Sequence, residues 1–152
     1  TAVSWSRLFT DFSFEHPESL PRIPLDPKLT WQVLQNLLSN AAKYTPDKGK
    51  ITLALSLEPE NILVKVTDNG VGIPEFQKHR LFEKFFRADN VNKSDGTGLG
   101  LYISRKIAES SGGKLWFEST EGKGTAFYFT IPLVEIQQPE PKGAQSIATG
   151  LQ

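Results

Sequence analysis

The sequence predicts an α+β fold: a two-layer α/β sandwich in which a mixed, mostly antiparallel sheet has helices on one face. Three observations lead there. Apolar residues recur at helical spacing in two long stretches, residues 27–44 and 98–111. Strand-like stretches come as adjacent pairs, 50–57 with 61–67 and 114–119 with 124–132, each joined by a short turn. The βαβ crossovers that would signal a parallel sheet are few. The 152 residues are the length of one ordinary domain, enough to bury roughly two-thirds of the surface of the unfolded chain.

Phe12 and Phe14 alternate with polar neighbours, a short strand signal. Residues 16–27 hold four prolines and read as extended and turning. Asp26 then supplies a helix cap and Pro27 suits the first helical position. Leu29, Val33, Leu34, Leu37, Leu38 and Ala41 form the core face of that helix, which Pro46 and the following Asp-Lys-Gly turn stop. After the first strand pair comes a glycine-rich loop, residues 68–74. Residues 81–87 are expected to form a short apolar and basic element, and 88–97 a polar, mobile stretch. The second helix ends at Gly112-Gly113, and the last two strands form a hairpin around Glu121-Gly122-Lys123. No internal repeat is present.

Composition removes several function classes. Seventeen basic residues balance seventeen acidic ones, so no net field favours nucleic acid or an anionic membrane. The absence of cysteine excludes thiol chemistry, disulfides and cysteine-ligated zinc. Two histidines far apart, His16 and His79, exclude a histidine-rich metal site. No apolar run reaches the ~18 residues of a membrane-crossing helix, and no signal peptide opens the chain. With no methionine present, the chain is expected to be an excised piece of a longer protein. Residues 1–10 are expected to be a linker remnant, 11–134 the folded domain and 135–152 a flexible tail rich in Gln, Pro, Gly and Ser.

Four stretches can do chemistry. Asn36, Asn40 and Lys43 fall at i, i+4 and i+7 of the first helix, one polar stripe, with Tyr44 nearer the apolar side. An amide oxygen there suits Mg²⁺ beside phosphate oxygens, although the stripe alone also fits a solvated helix flank. Asp68 ends a strand and is followed by Gly70 and Gly72. That places a carboxylate, able to accept from an exocyclic amine, beside backbone that a planar ligand can approach; a plain Asn-Gly turn is the other reading. Gly96-Thr97-Gly98-Leu99-Gly100-Leu101 opens the second helix. Alternating glycines at a helix N-terminus expose N–H groups to anions and suit a hinge. No Gly-Lys-Ser/Thr follows, so this is not a P-loop, and Leu101 stands where a dinucleotide fingerprint needs glycine. The fourth, Gly122-Lys123-Gly124-Thr125, is by itself a hairpin turn with a threonine.

Taken together and in this order, the four resemble the motifs of the catalytic, ATP-binding domain of bacterial sensor histidine kinases in the GHKL superfamily. Asn36–Pro46 resembles the N box, Asp68–Pro74 the G1 box, residues 81–87 the F box, Gly96–Leu101 the G2 box and Gly122–Thr125 the last glycine box. The match covers roughly residues 26–132. The resemblance implies the Bergerat-type ATP-binding sandwich shared with DNA gyrase, the Hsp90 chaperones and MutL. It implies ATP and Mg²⁺ as cofactors. Asn40 would ligate the metal, Asn36 would lie near the phosphates and Lys43 would contact them, these three forming the catalytic group. Tyr44 would line the nucleotide, and Asp68 would receive the adenine amino group in a pocket shaped by Gly70, Gly72 and Ile73, with Thr125 assisting through water. Gly96, Thr97, Gly98, Leu99, Gly100 and Leu101 would close on the phosphates. Phe82, with Phe85 and Phe86, would anchor that lid, and Arg87 is a candidate phosphate or interdomain contact.

The implied reaction is transfer of the γ-phosphoryl group to a histidine on a separate dimerisation domain, and onward to a response regulator. In ATP-hydrolysing relatives a glutamate stands where this chain has Asn36, and an amide is no general base, so hydrolysis is expected to be slow. Neither His16 nor His79 sits in an acceptor motif. The resemblance further implies a cytoplasmic domain, monomeric alone, within a homodimeric parent that is in some cases membrane-anchored. A nucleotide-gated interaction module without transfer activity and an anti-sigma-type serine kinase are the alternatives.

Overall fold

The computed structural model describes residues 11–86 and 98–133. In chain order these form β1 (Asp11–Glu15), α1 (Pro27–Tyr44), β2 (Lys50–Leu57), β3 (Asn61–Asp68), a 3-10 helix (Glu75–Arg80), α2 (Gly100–Ser110), β4 (Leu115–Thr120) and β5 (Gly124–Pro132). The five strands make one sheet in the order β1-β2-β3-β5-β4. Only β1 against β2 is parallel; the other three pairings are antiparallel.

Each element follows from its residues. The Asp26 carboxylate accepts from the N–H groups of Lys28 (2.9 Å) and Leu29 (3.2 Å), satisfying two donors that the first turn of α1 leaves orphaned. Thr45 is extended, as a residue before proline must be, and α1 ends there. In β3 every second residue is buried: Ile62, Val64, Val66 and Asp68. Val64 and Val66 join a core with Val33, Leu37, Ile51, Leu115, Phe127 and Phe129, and Ile62 is buried on the same face of the strand. Asp68 shares their parity, which is how a carboxylate comes to lie 7% exposed. On the opposite sheet face Trp116 stacks on Tyr128 (5.2 Å between centroids, 6° between planes), a cross-strand pair with Lys65 5.4 Å from the Tyr128 centroid.

Several expectations shift. Leu29 is 37% exposed, and the packed part of the α1 stripe begins one turn later at Val33. Phe12 and Phe14 lie on a strand as expected, yet both are about half exposed (49% and 51%), because β1 is an edge strand paired on one side only. α2 starts at Gly100 rather than Gly98, since Gly98 has φ +75° and cannot continue a right-handed helix. Residues 81–85 are turns rather than an element, and the 3-10 helix before them was not expected.

Candidate nucleotide-binding site

The loop after β3 is bound on three sides. The Val71 N–H donates to the Tyr44 carbonyl at the end of α1 (3.1 Å), the Gly122 N–H to the Val71 carbonyl (2.8 Å), and the Ile73 N–H to Ser119 Oγ on β4 (2.8 Å). Asn69 braces the start of β2, its Oδ1 accepting from the Lys50 N–H (2.7 Å). Two glycines make this closeness possible. A Cβ on Gly70 would strike the Tyr44 carbonyl and the Asp68 carboxylate, and Gly72 sits at φ +67° against the Thr120 carbonyl.

At the centre of these ties is Asp68. Its carboxylate accepts from the Gly70 N–H (2.9 Å) and lies across from Thr125 on β5. Burial pushes its pKa above the ordinary 3.8; backbone hydrogen bonds from Gly70 and then Thr125 pull the other way without cancelling the shift. Among the described residues no cation pairs with it, and such a buried carboxylate is costly unless a ligand donor completes it. Thr125 is itself buried, and its hydroxyl lies 2.8 Å from Ser119 Oγ.

The other end of the site is built by α1 and α2. Asn36 Nδ2 donates to the Gly100 carbonyl (3.3 Å) and to Ser104 Oγ (3.0 Å), latching the two helices. From Asn36 to Tyr44, α1 rises about 12 Å. The helix therefore spans from the start of α2 to the Asp68 loop, with half-buried Asn40 and exposed Lys43 between. The Phe85 N–H donates to the Gly98 carbonyl (3.1 Å), so the chain segments at residues 86 and 98 meet. Phe85 has φ +62°, an uncommon conformation for a bulky residue.

Most of the expected residues converge on these two ends. Asn36, Asn40, Lys43 and Tyr44 lie along α1; Asp68, Gly70, Gly72, Ile73 and Thr125 gather at one end of the sheet; Gly98 and Leu99 lead into α2, which Gly100 begins opposite Asn36. Leu101 packs against the core, as does Phe82, whose ring meets Phe117 (5.7 Å) and the Arg105 guanidinium (4.9 Å). Phe85 departs from the expected packing role: it is 68% exposed, and its backbone rather than its ring makes the anchor. Arg87, Gly96 and Thr97 lie outside the described residues. His16 packs on Phe14 (4.8 Å) and its Nδ1 donates to the Pro17 carbonyl, while His79 is exposed in the 3-10 helix. Ser119 was not anticipated. The signal for it was countable, since the hairpin turn at 121–123 puts Ser119 opposite Thr125.

Among the described residues no cluster of three or more His, Cys, Asp or Glu side chains is placed to hold a metal. A cation here would depend on an amide oxygen, phosphate oxygens and water, a donor set that fits Mg²⁺, which keeps much of its water shell. No helix among the described residues is long and apolar enough to cross a membrane.

Comparison with known proteins bears on the family and the fold. Residues 25–135 match the family described as histidine kinase-, DNA gyrase B-, and HSP90-like ATPase. The adaptive-response sensory kinase SasA of Synechocystis sp. is 41% identical over 132 residues, which are 86% of this chain and 34% of SasA. The chain thus spans about a third of the length of that relative. The solved catalytic domain of the histidine kinase ThkA superposes with a TM-score of 0.72 at 37% identity, covering 84% of this chain and 82% of that one. Full-length ShkA, solved in complex with AMPPNP, matches with a TM-score of 0.73 at 27% identity over 86% of this chain and 27% of ShkA. With a buried carboxylate at the end of β3, glycine-dependent contacts around it and this sandwich, the chain belongs to the histidine kinase-, DNA gyrase B-, and HSP90-like ATPase family, among the catalytic domains of histidine kinases.

Proposed function

We propose that this domain binds Mg·ATP, with adenine against Asp68 and the phosphates toward the start of α2, and donates the γ-phosphoryl group to a histidine on a separate dimerisation domain. The buried Asp68 carboxylate supports this reading most directly. Ionised, it is an acceptor with no charged partner among the described residues, and it is held beside the glycine backbone of the loop. An exocyclic amino group completes it. Tyr44, Gly70, Gly72 and Ile73 would wall the base, and Thr125 would assist Asp68.

At the other end Asn40 would hold Mg²⁺, which when bound neutralises phosphate charge. Lys43, exposed at the last turn of α1, would contact phosphate oxygens. Gly98, Leu99 and Gly100 would direct N–H groups at them, and Gly96, Thr97 and Arg87 would complete the closure. Asn36 supports transfer over hydrolysis: its amide is engaged by Gly100 and Ser104, and it cannot serve as a base toward water. The acceptor, the response regulator beyond it, the cytoplasmic location and the homodimeric parent kinase belong to the same proposal.

The test mixes the domain with its cognate dimerisation domain and γ-labelled ATP. We expect label on histidine and near-absent phosphate release by the domain alone. Steady multi-turnover hydrolysis by the isolated domain, or label that is acid-stable and on serine, would refute the assignment.

A further inference from the structure

We propose that Ser119 is a positioning residue that sets the hydrogen-bonding polarity of the base pocket, by holding the hydroxyl proton of Thr125 and so leaving Thr125 able only to accept. The proposal rests on the nucleotide reading above and adds to it a determinant of base selectivity.

The argument is a count of protons. Ser119 Oγ lies 2.8 Å from the Ile73 nitrogen, 3.0 Å from the Gly124 carbonyl oxygen and 2.8 Å from Thr125 Oγ1. A hydroxyl has one proton and two lone pairs. The Ile73 N–H can only donate, so it takes one lone pair. The Gly124 carbonyl can only accept, so it takes the proton. What remains on Ser119 is a single lone pair facing Thr125, and the Ser119–Thr125 bond exists only if Thr125 donates. Thr125 thereby has no proton left and presents lone pairs alone.

Thr125 stands directly across from Asp68 in the β3–β5 ladder, and the ionised carboxylate of Asp68 is also acceptor-only. Two neighbouring acceptors favour an amino group, or a water with both protons turned toward them. They disfavour a keto oxygen at the same place, because acceptor would face acceptor and a buried polar group would go unpaired. Ser119 need not touch the base for this. It fixes which way the Thr125 hydroxyl points, and the pocket reads a 6-amino purine over a 6-keto purine.

Inosine triphosphate is the probe, since its base carries a 6-keto group where adenine carries the amine. Affinities for Mg·ATP and Mg·ITP are measured by calorimetry on the unmodified domain and on Ser119→Ala. In Ser119→Ala the Thr125 proton is released and can turn to donate to the keto oxygen. We expect the ATP-to-ITP affinity ratio to fall by about three- to tenfold, the worth of one neutral hydrogen bond. Loosening of the Ile73 loop weakens both nucleotides together and leaves the ratio unmoved, so the ratio separates positioning from a merely structural role. In a Thr125→Val background the same Ser119→Ala change should leave the ratio unaltered, and Ser119→Thr should retain the unmodified ratio. Should Ser119→Ala fail to fold, Ser119→Cys serves, its weaker thiol bonds moving the ratio in the same direction. An unchanged ratio in the folded Ser119 variant overturns the proposal. So does an equal fall in the presence and absence of the Thr125 hydroxyl. If the unmodified domain binds neither nucleotide, the nucleotide reading itself fails, an outcome distinct from both.

Discussion

The two ends of the site differ in how much of their geometry exists before a ligand arrives. At the base end, β3, β4, β5 and the end of α1 are cross-tied through Asp68, Val71, Ile73, Ser119 and Gly122, and two glycines allow backbones to touch. At the phosphate end the described ties are the Asn36 amide and one backbone bond from Phe85 to Gly98, while Lys43 projects into solvent. The proposed base pocket is set by backbone, the buried Thr125 hydroxyl and the partly buried Ser119 hydroxyl, which lose little entropy on binding. The phosphate end relies on side chains and charges that a ligand must organise. In the proposed binding mode, recognition is thus separated from chemistry along the ~12 Å of α1 between Tyr44 and Asn36.

Asp68→Asn should break the base end most severely. The asparagine offers a weaker acceptor, and the loss of a charge-assisted bond worth about 1.5–3 kcal/mol lowers ATP affinity on the order of 10- to 100-fold. Calorimetric titration would detect it, and undiminished affinity would remove the contrast drawn above. The same substitution takes away a buried charge, so the ligand-free domain should melt no lower than the parent, a trade of stability for function.

Next in size is a contrast between two glycines. Gly72→Ala meets both a left-handed backbone and the Thr120 carbonyl, and should lower unfolding stability by about 1–3 kcal/mol. Gly100→Ala places its Cβ 3.6 Å from Asn36 Cγ, an ordinary contact, and should fall within about 1 kcal/mol of the parent, on the stabilising side. Urea midpoints for the pair would sharpen the difference between a pre-built end and a tolerant one; equal losses would erase it.

Solution pH should act in opposite senses on the stability and the ATP affinity set by Asp68. The pKa of Asp68 is raised in the folded state, chiefly by burial, so the folded chain holds that proton more tightly than the unfolded one. Stability of the ligand-free domain should therefore fall as pH rises from 3.8 through the raised value. ATP affinity should do the reverse, weakening as pH drops through the same window, because the amino group needs the ionised carboxylate. A melting series with Asp68→Asn as reference isolates this contribution, and the variant should show neither trend.

The smallest expected effect is at the latch. Asn36→Ala removes two partly buried hydrogen bonds and should cost about 1–2 kcal/mol in thermal stability. It should add no hydrolysis above the parent, as it supplies no base. A rise in phosphate release would mean that Asn36 restrains water rather than holding α2.

What was legible in the sequence follows physical range. The bounds of α1 were readable because Asp26, Pro27 and Pro46 act within a few residues of the ends they set. Asp68 was readable as a strand-end carboxylate, and its burial is the parity of Ile62, Val64 and Val66 carried two residues further. The 3-10 helix at Glu75–Arg80 is too short to impose a period, so nothing marked it. Ser119 depends on partners at 73, 124 and 125, and becomes visible only once the hairpin register is fixed. Phe85 misled because apolar character says a ring prefers burial, whereas the bond to Gly98 uses its backbone.

The parallel pairing of β1 has a mechanical consequence. Asp11 lies opposite Lys50, Ile51 opposite Asp68, and Asp68 opposite Thr125, so the chain enters the sheet at the end that holds the base pocket. A force on the Asp11 end of β1 reaches β2 where the Lys50 N–H meets Asn69, next to the carboxylate proposed to read the base. The opening of β1 and the proposed point of recognition share one rim of the sheet, so such a force acts two strands from Asp68 rather than across the length of the domain.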